Sequence, residues 1–583
     1  MPPRELDLAG NDNRNWVNDH TVYTHGYGVV AAYGNKVTAD GQPEFFESGI
    51  PTQGKLTESE KYEPRIYFSP NTTEYSIVGA PEGTQAWEFD YPTGSEGALT
   101  TFKGDGGPSV GNLFSRILYA IRFGSDQILF SDRVTSESQI LYDRSPKERV
   151  AKVAPYLTLD GRVYPAVVDG RVKWIVDGYT TSDAYPYSQM TDLGSATKDS
   201  TTVSSATVSS LGSQKANYIR NSVKATVDAY DGSVDLYVWD QSDPVIKAWE
   251  KIFPGQYHQL SDISGDLMSH MRYPESLFKV QRELLSKYHV TSANQYYSGE
   301  DFWQTPVDPT ESQSQQDQDI LQPPYYLTLQ TGGTKEPVFS LSSTYIPAGQ
   351  STREILTGFL SVDSDAGNEK GKIGSNYGTI RLQELPKDSN VPGPARRRQL
   401  NANADVSKEL NLLQSGDTQV VRGNLLTLPL GGGLVYVQPV YVKSSGATSF
   451  PLLKKTLVAF GDQVGFADTL DEALDQVFGG DSGAAAGDAE NVSGDGSSGD
   501  QSSGISGDQS GSDTNGGQSG TTDGKSDSGS SSDRSPELQQ ALNDAAQAMK
   551  DSQSAMKNGD WTAYGKAQKE LEDALNKAIE LDK

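Results

Sequence analysis

The sequence predicts an α+β fold, a strand-rich mixed soluble region with several packed helices, followed by a disordered acidic linker and a C-terminal αα-hairpin. Turn signals separate runs of β-branched and aromatic residues, amphipathic stretches with capping residues interrupt those runs, and the composition changes abruptly near residue 479. We therefore divide the chain into a soluble region at 1–478, a Gly/Ser/Asp-rich linker at 479–534 and a helical hairpin at 535–583. A division of the first region into two subdomains, at about 1–215 and 216–478, stays open.

Strands account for most of the predicted structure. Two turn signals, Asp160-Gly161 and Asp169-Gly170, border runs rich in Val and Tyr, which predicts a meander. Asp231-Gly232 predicts a second hairpin by the same reasoning. No repeat of fixed period is visible. Further strands are predicted at seven stretches: 325–330, 338–341, 355–362, 379–382, 425–428, 434–442 and 457–460.

Helices are fewer. Apolar residues at 113–121 follow one stripe, and Ser145 with Glu148 forms a capping-box pattern. Asp243, followed by a proline, opens a third helix, and the stretch 274–289 carries the strongest apolar face. The Ser/Thr-rich stretch 191–213 lacks periodicity, so we predict an exposed loop there.

The C-terminal region has a distinct composition. Residues 479–534 are nearly all Gly, Ser, Asp, Gln and Thr, and cannot bury enough apolar surface to offset the entropy of ordering. Ser535 and a following proline then mark a helix start, Asn558-Gly559 a break, and Asp560 a second helix. Two helices alone are marginally stable, so we expect the hairpin to dock, on the main body or on another protein.

Composition excludes several classes of protein. The 583 residues carry a net charge of −28, which repels phosphate backbones and argues against nucleic acid as a partner. Cysteine is absent, so the chain has no disulfides, thiolate nucleophiles or cysteine-based metal sites. Its longest apolar stretches, such as 117–121, fall short of the roughly 20 residues that a membrane helix needs. We expect no signal peptide at the start of the chain.

Several blocks together resemble one known family. They include WVNDH at 16–20, YTHGYG at 23–28, WIVDGYTTS at 174–182, YSGEDFW at 297–303 and GFADTLDEAL at 465–474. The chain is similar, over about residues 4–478, to the later half of uncharacterised protein family 0182, large multi-pass membrane proteins typical of actinobacteria. The resemblance implies an N-terminal multi-pass region that anchors this portion in the cell membrane, with the soluble portion extracytoplasmic. It implies no established activity.

We expect a non-catalytic binding or scaffolding role at the cell envelope, with an envelope protein or a glycan as partner. Binding is favoured over catalysis because the sequence contains no His-Glu-x-x-His, and no Gly-x-Ser-x-Gly is predicted on a strand-to-helix turn in its folded part. The Gly-rich run at 104–111 is interpreted as a turn that caps the following helix. Two alternatives stay open. One is an envelope hydrolase that acts on carbohydrate through Glu300 or Asp301, and the other is a soluble gate of a transport protein.

The candidate ligand-binding residues fall in three groups, each with a structural alternative. The groups are His20 and His25; Tyr179, Tyr185 and Tyr187; and Glu300, Asp301 and Trp303. The histidine pair could instead be hydrogen-bonded structural residues, and the tyrosine-rich loop could pack on the meander. The acid pair could lie at a helix end beside core aromatic residues.

One acidic loop suggests calcium. Asp363, Asp365, Asn368 and Glu369 place oxygen ligands at close intervals, which suits a hard cation, although Gly374 stands where an EF-hand carries its bidentate acid. The acids at 228, 231 and 235 fit a hairpin turn better. We expect no other cofactor.

Overall fold

A computed structural model gives a mixed α+β architecture, which confirms the predicted fold class. The structure describes residues 3–8, 14–59, 61–93, 96–310, 320–349, 355–389, 391–394, 403–414, 417–430, 433–444, 450–483 and 536–557, and single positions within 563–581. Residues 484–534 of the linker predicted at 479–534, the break at 558–559 and Asp560 lie outside the described residues.

The chain forms two compact units. The central body comprises Met1–Pro108 and Gln139–Ser493, and the helical unit comprises Ser109–Ser138 and Gly494–Lys583.

Short antiparallel strands make up the first part of the central body. They pair as β1 with β5, β2 with β3 and β4, β6 with β9, and β7 with β8. The guanidinium of Arg144, which is fully buried, donates to the carbonyl of Tyr67 at 2.6 Å and to the hydroxyl of Ser76 at 2.7 Å, and so joins this region. The elements are β1 Gly26–Tyr27, β2 Ala31–Val37, β3 Pro43–Ser48, β4 Gln53–Gly54, α1 Lys55–Ser59, β5 Arg65–Ile66, β6 Ser76–Val78, β7 Glu88–Thr93, β8 Glu96–Thr100 and β9 Gln139–Leu141.

Two helices of the helical unit, α2 Leu113–Phe123 and α3 Gln127–Phe130, lie between β8 and β9 in the chain. Three modules follow in the central body, each a helix packed on a five-stranded antiparallel sheet. The first module consists of α4 Pro146–Val153, β10 Thr158–Leu159, β11 Tyr164–Val168, β12 Arg171–Ser182, β15 Tyr218–Asp228 and β16 Val234–Val238, with β13 Thr191–Asp192, α5 Leu193–Thr197, α6 Ser200–Ser204 and β14 Lys215–Ala216 inserted between β12 and β15.

Helices α7 Pro244–Ile252 and α8 Gly265–His270 connect the first module to the second. The second module consists of α9 Glu275–Tyr288, α10 Ala293–Ser298, β17 Trp303–Gln304, β18 Tyr325–Leu329, β19 Val338–Pro347, β20 Gly358–Asp363 and β21 Ile380–Glu384. The third consists of α11 Ala404–Leu413, β22 Thr418–Arg422, β23 Leu426–Leu430, β24 Gly433–Ser444, β25 Leu452–Phe460 and β26 Gln463–Ala467, followed by α12 Leu470–Phe478.

The three sheets share one topology. In each, two short strands pair with opposite ends of the same edge of a long third strand, and the fourth and fifth strands follow on its other side. In the first module this places β10 on β12, although the Asp160-Gly161 turn had suggested a simple meander from β10 to β11. The repetition lies in the connectivity, because the insertion before β15 changes the spacing along the chain.

All seven predicted downstream strands are present, and the Asp169-Gly170 and Asp231-Gly232 turns both join paired strands. The exposed loop predicted at 191–213 is wrong, because it contains β13, α5 and α6 and buries Leu193 and Leu211. These two side chains join a core shared with α9. Ser145 does precede α4, but its side chain makes no capping hydrogen bond with any residue that the structure describes.

The stripe predicted at 113–121 is only partly correct. Ile117 is buried, whereas Phe114, Leu118 and Ile121 are exposed. The first predicted C-terminal helix is present as α13, Pro536–Lys557. Within the helical unit, α13 packs through Ala541 on Leu113 and Phe130 of α2 and α3.

Candidate aromatic ligand site

An aromatic pocket of about 380 Å³ lies where the first and second modules meet. It collects side chains from β15, from the residues after β16, from the start of α9 and from the loop before β21. Its described lining residues are Ile219, Arg220, Asn221, Trp239, Asp240, Tyr273, Leu277, Gln281, Ile373 and Tyr377.

Three aromatic rings form the walls. Trp239 and Tyr377 meet edge to face with ring centroids 5.4 Å apart, and Tyr377 lies 5.7 Å from Tyr273. Trp239 and Tyr273 are buried. Tyr273 immediately precedes Pro274, the N-cap residue of α9, so the helix start fixes this ring at the module boundary. Rigid rings with polar tips provide contact area at a small cost in conformational entropy.

The polar side chains of the pocket converge on these rings. Arg220 and Asp240 form an ion pair at 2.5 Å, and the hydroxyl of Tyr273 donates to Gln281 at 2.9 Å. The amide nitrogen of Asn221 donates to the Asp177 carboxylate at 3.2 Å. The buried Oδ1 of Asn221 has no hydrogen-bond partner within the described part of the chain. An unpaired buried acceptor is costly, so a ligand donor would stabilise it.

A buried ion pair lies beside the pocket. The ammonium of Lys224 contacts the carboxylate of Asp177 at 2.5 Å, donates to the carbonyl of Arg272 at 2.7 Å and lies 5.2 Å from the Trp239 ring. Burial lowers the pKa of Lys224 and raises the pKa of Asp177, while the attraction between the two charges opposes both shifts. Because both side chains are buried, the pair fixes β12 against β15 and is not available to a ligand.

A second buried network anchors α9. Lys279 contacts Glu275 at 2.7 Å and Asp199 at 2.6 Å, and Arg162 contacts Glu275 at 2.8 Å. Burial tends to raise the pKa of Glu275, but the two cations outweigh it and hold that pKa below its usual range. The helix that carries Gln281 is thereby fixed to the first module, which positions the pocket wall.

The pocket hydroxyls are hydrogen-bond donors and not bases. Burial raises the pKa of Tyr273 to about 12, and burial together with nearby Asp177 raises the pKa of Tyr377 well above its usual range. Tyr377 donates to the carbonyl of Arg272 at 3.1 Å. Both phenols therefore stay protonated at neutral pH, which suits recognition of polar groups more than proton abstraction.

The two predicted histidines each have partners in the protein. His20 stacks on the ring of Tyr75 at 3.9 Å and hydrogen-bonds its carbonyl at 2.7 Å. Desolvation lowers the pKa of His20. His25 is buried between Thr24 and Asp90, at 3.0 and 3.3 Å. These contacts favour the structural alternative for both histidines.

The structure separates the three predicted tyrosines. Tyr179 is fully buried, and its hydroxyl donates to Asp160. Tyr185 is half exposed and stacks on Tyr218 at 5.7 Å. Tyr187 is fully exposed, with a positive φ of 59°. Among these three, only Tyr185 and Tyr187 present a ring to solvent.

The acid pair after α10 also does not form one site with its neighbouring aromatic residue. Glu300 is exposed, and Asp301 pairs with Lys387 at 3.2 Å on the surface. Trp303 is buried and stacks on His289 at 3.5 Å. This geometry favours the helix-end alternative, and neither acid faces the aromatic pocket.

The suggested calcium ligands are directed to other partners. Asp363 pairs with Arg381 at 2.5 Å, and Glu369 pairs with Lys372 at 2.7 Å. Asp365 accepts from the amide of Gly367 at 2.9 Å. The described part of the chain contains no cluster of three or more His, Cys, Asp or Glu that could hold a metal ion. Calcium binding stays a prediction that this geometry does not support.

Sequence reasoning missed the aromatic pocket, because its residues come from positions between 219 and 377. Tyr273 directly precedes the helix predicted at 274–289, but nothing in its spacing connected it to Trp239 or Tyr377.

Comparison with known proteins gives the family. The model of uncharacterised protein family UPF0182 matches residues 1–413. This chain belongs to the UPF0182 family.

Its relatives are close in sequence. The chain is 96% identical over 581 residues to a UPF0182 protein of Bifidobacterium longum (strain NCC 2705), covering 100% of the chain and 53% of the relative. The chain is 84% identical to a UPF0182 protein of Bifidobacterium adolescentis, over 99% of the chain and 54% of the relative. It is 55% identical to a UPF0182 protein of Paenarthrobacter aurescens, over 99% of the chain and 56% of the relative.

The UPF0182 chain thus spans about half the length of the curated relatives it matches. No solved structure matches it. Among the helices that the structure describes, none has the length and apolar character needed to cross a membrane.

Proposed function

We propose that this UPF0182 chain is a non-catalytic binding domain and that the aromatic pocket holds one sugar unit of an envelope glycan. The supporting observation is the grouping of Trp239, Tyr273 and Tyr377 with amide and charged side chains around a volume of about 380 Å³. Aromatic rings can stack on the apolar face of a sugar ring. Asn221, Gln281 and the Arg220–Asp240 pair offer hydrogen bonds to its hydroxyls.

The chemistry of the pocket favours binding over hydrolysis. Asp240 pairs with Arg220, Asp177 pairs with Lys224, and the two phenols stay protonated. A glycosidase needs two carboxyl groups that flank the scissile bond. The described lining of the pocket contains a single carboxylate, that of Asp240.

Saturation-transfer NMR tests the proposal. The full chain is titrated with glucose, galactose, mannose and N-acetylglucosamine and with short oligosaccharides that contain them. We expect transfer to at least one sugar, together with a change in tryptophan fluorescence. Failure of every sugar to bind would refute the proposal.

Matched variants locate the binding site. Gln281→Ala removes a pocket amide from α9, and Gln295→Ala removes a partly buried amide from α10 outside the pocket. We expect the first to weaken binding about tenfold, equivalent to roughly 1.4 kcal/mol, and the second to leave it unchanged. Release of a reducing end that Asp240→Asn abolishes would show catalysis instead.

We also propose that the chain is the extracytoplasmic portion of a membrane-anchored protein, which binds an envelope glycan or protein. The family resemblance supports this placement, and so does the additional length of the relatives. The test uses a full-length relative in which a single cysteine replaces the residue aligned with either Tyr187 or Phe450, both of which are exposed in this chain. Intact cells that express each variant are then labelled with a membrane-impermeant maleimide. Labelling only after cell lysis would contradict the proposal.

A further inference from the structure

A large apolar cleft lies at the junction of the second and third modules. Its volume is about 1060 Å³, slightly above the roughly 300–1,000 Å³ typical of small-molecule sites. Strands β18, β20 and β21 contribute to it from the second module, and β23, β24 and α12 from the third. The cleft is separate from the aromatic pocket, with which it shares no described lining residue.

The two modules supply different chemistry to the cleft. Leu428, Leu434 and Leu474 of the third module form an apolar wall. Leu428 and Leu474 belong to the core under α12, and Leu434 packs on the neighbouring core around Tyr436. On the side of the second module, Gln330, Thr331 and Thr334 lie in the turn between β18 and β19. The side chain of Gln383 packs against the same turn at Gly332. One end of the cleft is thus apolar and the other is rich in hydroxyls and amides.

An unpaired hydroxyl marks the polar end. Thr331 is buried, and its Oγ1 has no hydrogen-bond partner among the residues that the structure describes. The carbonyl of Thr331 is already satisfied, because it accepts from the amide and the hydroxyl of Thr334 at 3.0 and 2.9 Å. A ligand head that hydrogen-bonds this hydroxyl would remove the cost of leaving it unpaired.

Charge limits the kind of head group. Glu384 is the only charged residue in the described lining, and the lining contains no Lys or Arg. An anionic head would meet a like charge and find no cation to pair with, which is unfavourable in an apolar setting. A neutral head with hydroxyl or amide groups meets neither cost.

We propose that this cleft binds a single-chain neutral amphiphile, with its hydrocarbon chain against the Leu428–Leu434–Leu474 wall and its hydroxylated head at the turn around Thr331. The site is independent of the aromatic pocket. Its ligand differs in class from a free sugar, so either assignment can fail while the other holds.

Isothermal titration calorimetry on the full chain tests the assignment, with monooleoylglycerol as the probe. Oleate provides the same chain with an anionic head, and glycerol provides the head without a chain. We expect monooleoylglycerol to bind at least tenfold more tightly than oleate at pH 7, and glycerol not to bind. Absence of binding by monooleoylglycerol, or equal binding of oleate, would overturn the proposal.

A matched pair of substitutions tests the location. Leu430 lines the cleft and Leu99 lies on β8, and both side chains are 48% exposed. Leu430→Trp adds bulk at the cleft and should weaken monooleoylglycerol binding at least tenfold. Leu99→Trp should leave it within twofold. Equal effects of the two substitutions would place the ligand elsewhere.

Photo-crosslinking covers the case in which Leu430→Trp fails to fold. A diazirine analogue of monooleoylglycerol is irradiated with the unmodified chain, and adducts are mapped by mass spectrometry. Adducts within 328–334, 428–430, 433–437 and 470–474 support the site, and adducts confined to other segments contradict it. Sugar titrations on the same sample report separately on the aromatic pocket.

Discussion

Asp177 and Lys224 lie directly opposite each other on β12 and β15, with carboxylate and ammonium 2.5 Å apart and both side chains buried. Removing one partner of such a pair leaves a charge in an apolar interior with nothing to neutralise it. The pair also lies beside the aromatic pocket, through the Asn221 amide and the Trp239 ring.

We therefore expect Lys224→Met to destabilise the chain by about 3–5 kcal/mol, because Asp177 would remain buried without its partner. Urea unfolding followed by circular dichroism measures this loss. The double variant Lys224→Met with Asp177→Leu should recover much of the stability. If the single and double variants are equally unstable, the loss comes from packing and not from the unpaired charge.

The start of α7 should show a defined pH dependence. Burial tends to raise the pKa of Asp243, but hydrogen bonds from Ser222, Thr180 and Tyr218 outweigh it, so this pKa is lowered. A lowered pKa in the folded state stabilises the protein above the unfolded value of about 3.9, and this stabilisation is lost as the pH falls through the folded value.

The test of this prediction is Asp243→Asn. At pH 7 it should cost about 1–3 kcal/mol, since a charged acceptor of several buried hydrogen bonds is lost. The difference in unfolding free energy between wild type and variant should shrink as the pH falls below about 3.9. A difference that stays constant down to pH 2 would show that ionisation of Asp243 contributes nothing.

The packing of α13 on α2 and α3 predicts that one buried alanine holds the helix in place. Ala541 is fully buried against Leu113 and Phe130, so Ala541→Glu should release α13. Hydrogen–deuterium exchange should then rise across 113–130. Asn543→Glu, on an exposed position of the same helix, should leave exchange unchanged. Unchanged exchange in Ala541→Glu would contradict the contact.

The ion pair between Lys550 and Asp126 should matter less. The two groups are 3.0 Å apart, but the Lys550 side chain is 60% exposed, and exposed pairs contribute at most about 1 kcal/mol. Lys550→Ala should thus leave the exchange at 113–130 close to that of the wild type.

The loop at 363–369 gives a prediction about calcium. Because Asp363 pairs with Arg381, the melting temperature of the chain in about 5 mM calcium should equal its melting temperature in the presence of a calcium chelator. This concentration is about 1,000 times the Kd of a calcium-sensor site, so a site of that affinity would be saturated. Arg381→Ala frees the Asp363 carboxylate, and the effect of calcium on its melting temperature is compared with the effect on the unmodified chain. A rise in melting temperature with calcium in the unmodified chain would restore the calcium site.

Local signals in the sequence account for much of the fold. Asp169-Gly170 and Asp231-Gly232 predict their hairpins because a tight turn sets the register of two adjacent strands. The pairing of β10 with β12 depends instead on contacts between strands that are distant in the chain, and Asp160-Gly161 gives no sign of it. Helices α5 and α6, within 191–213, have weak local sequence signals. This segment is stabilised by the burial of Leu193 and Leu211 in the core shared with α9.

The sites were harder to predict than the strands. Tyr179 and Trp303 stood out as aromatics in distinctive blocks, yet both are buried and serve the core. Asn221 and Gln281 carry no local signature, because an amide on a strand or helix forms part of a site only when the neighbouring module places other side chains beside it. Spacing along the chain does not show which residues those are.

The packing of Ala541 on Leu113 and Phe130 has a consequence for the order in which the protein matures on the ribosome. Each module completes its sheet from residues close together in the chain, so it can form soon after it emerges during synthesis. Helices α2 and α3 precede the three modules in the chain and α13 follows them, so α2 and α3 are synthesised first and receive α13 only after all three modules. Until then their apolar residues are without that cover, and a nascent chain stalled before α13 should need a chaperone at this location.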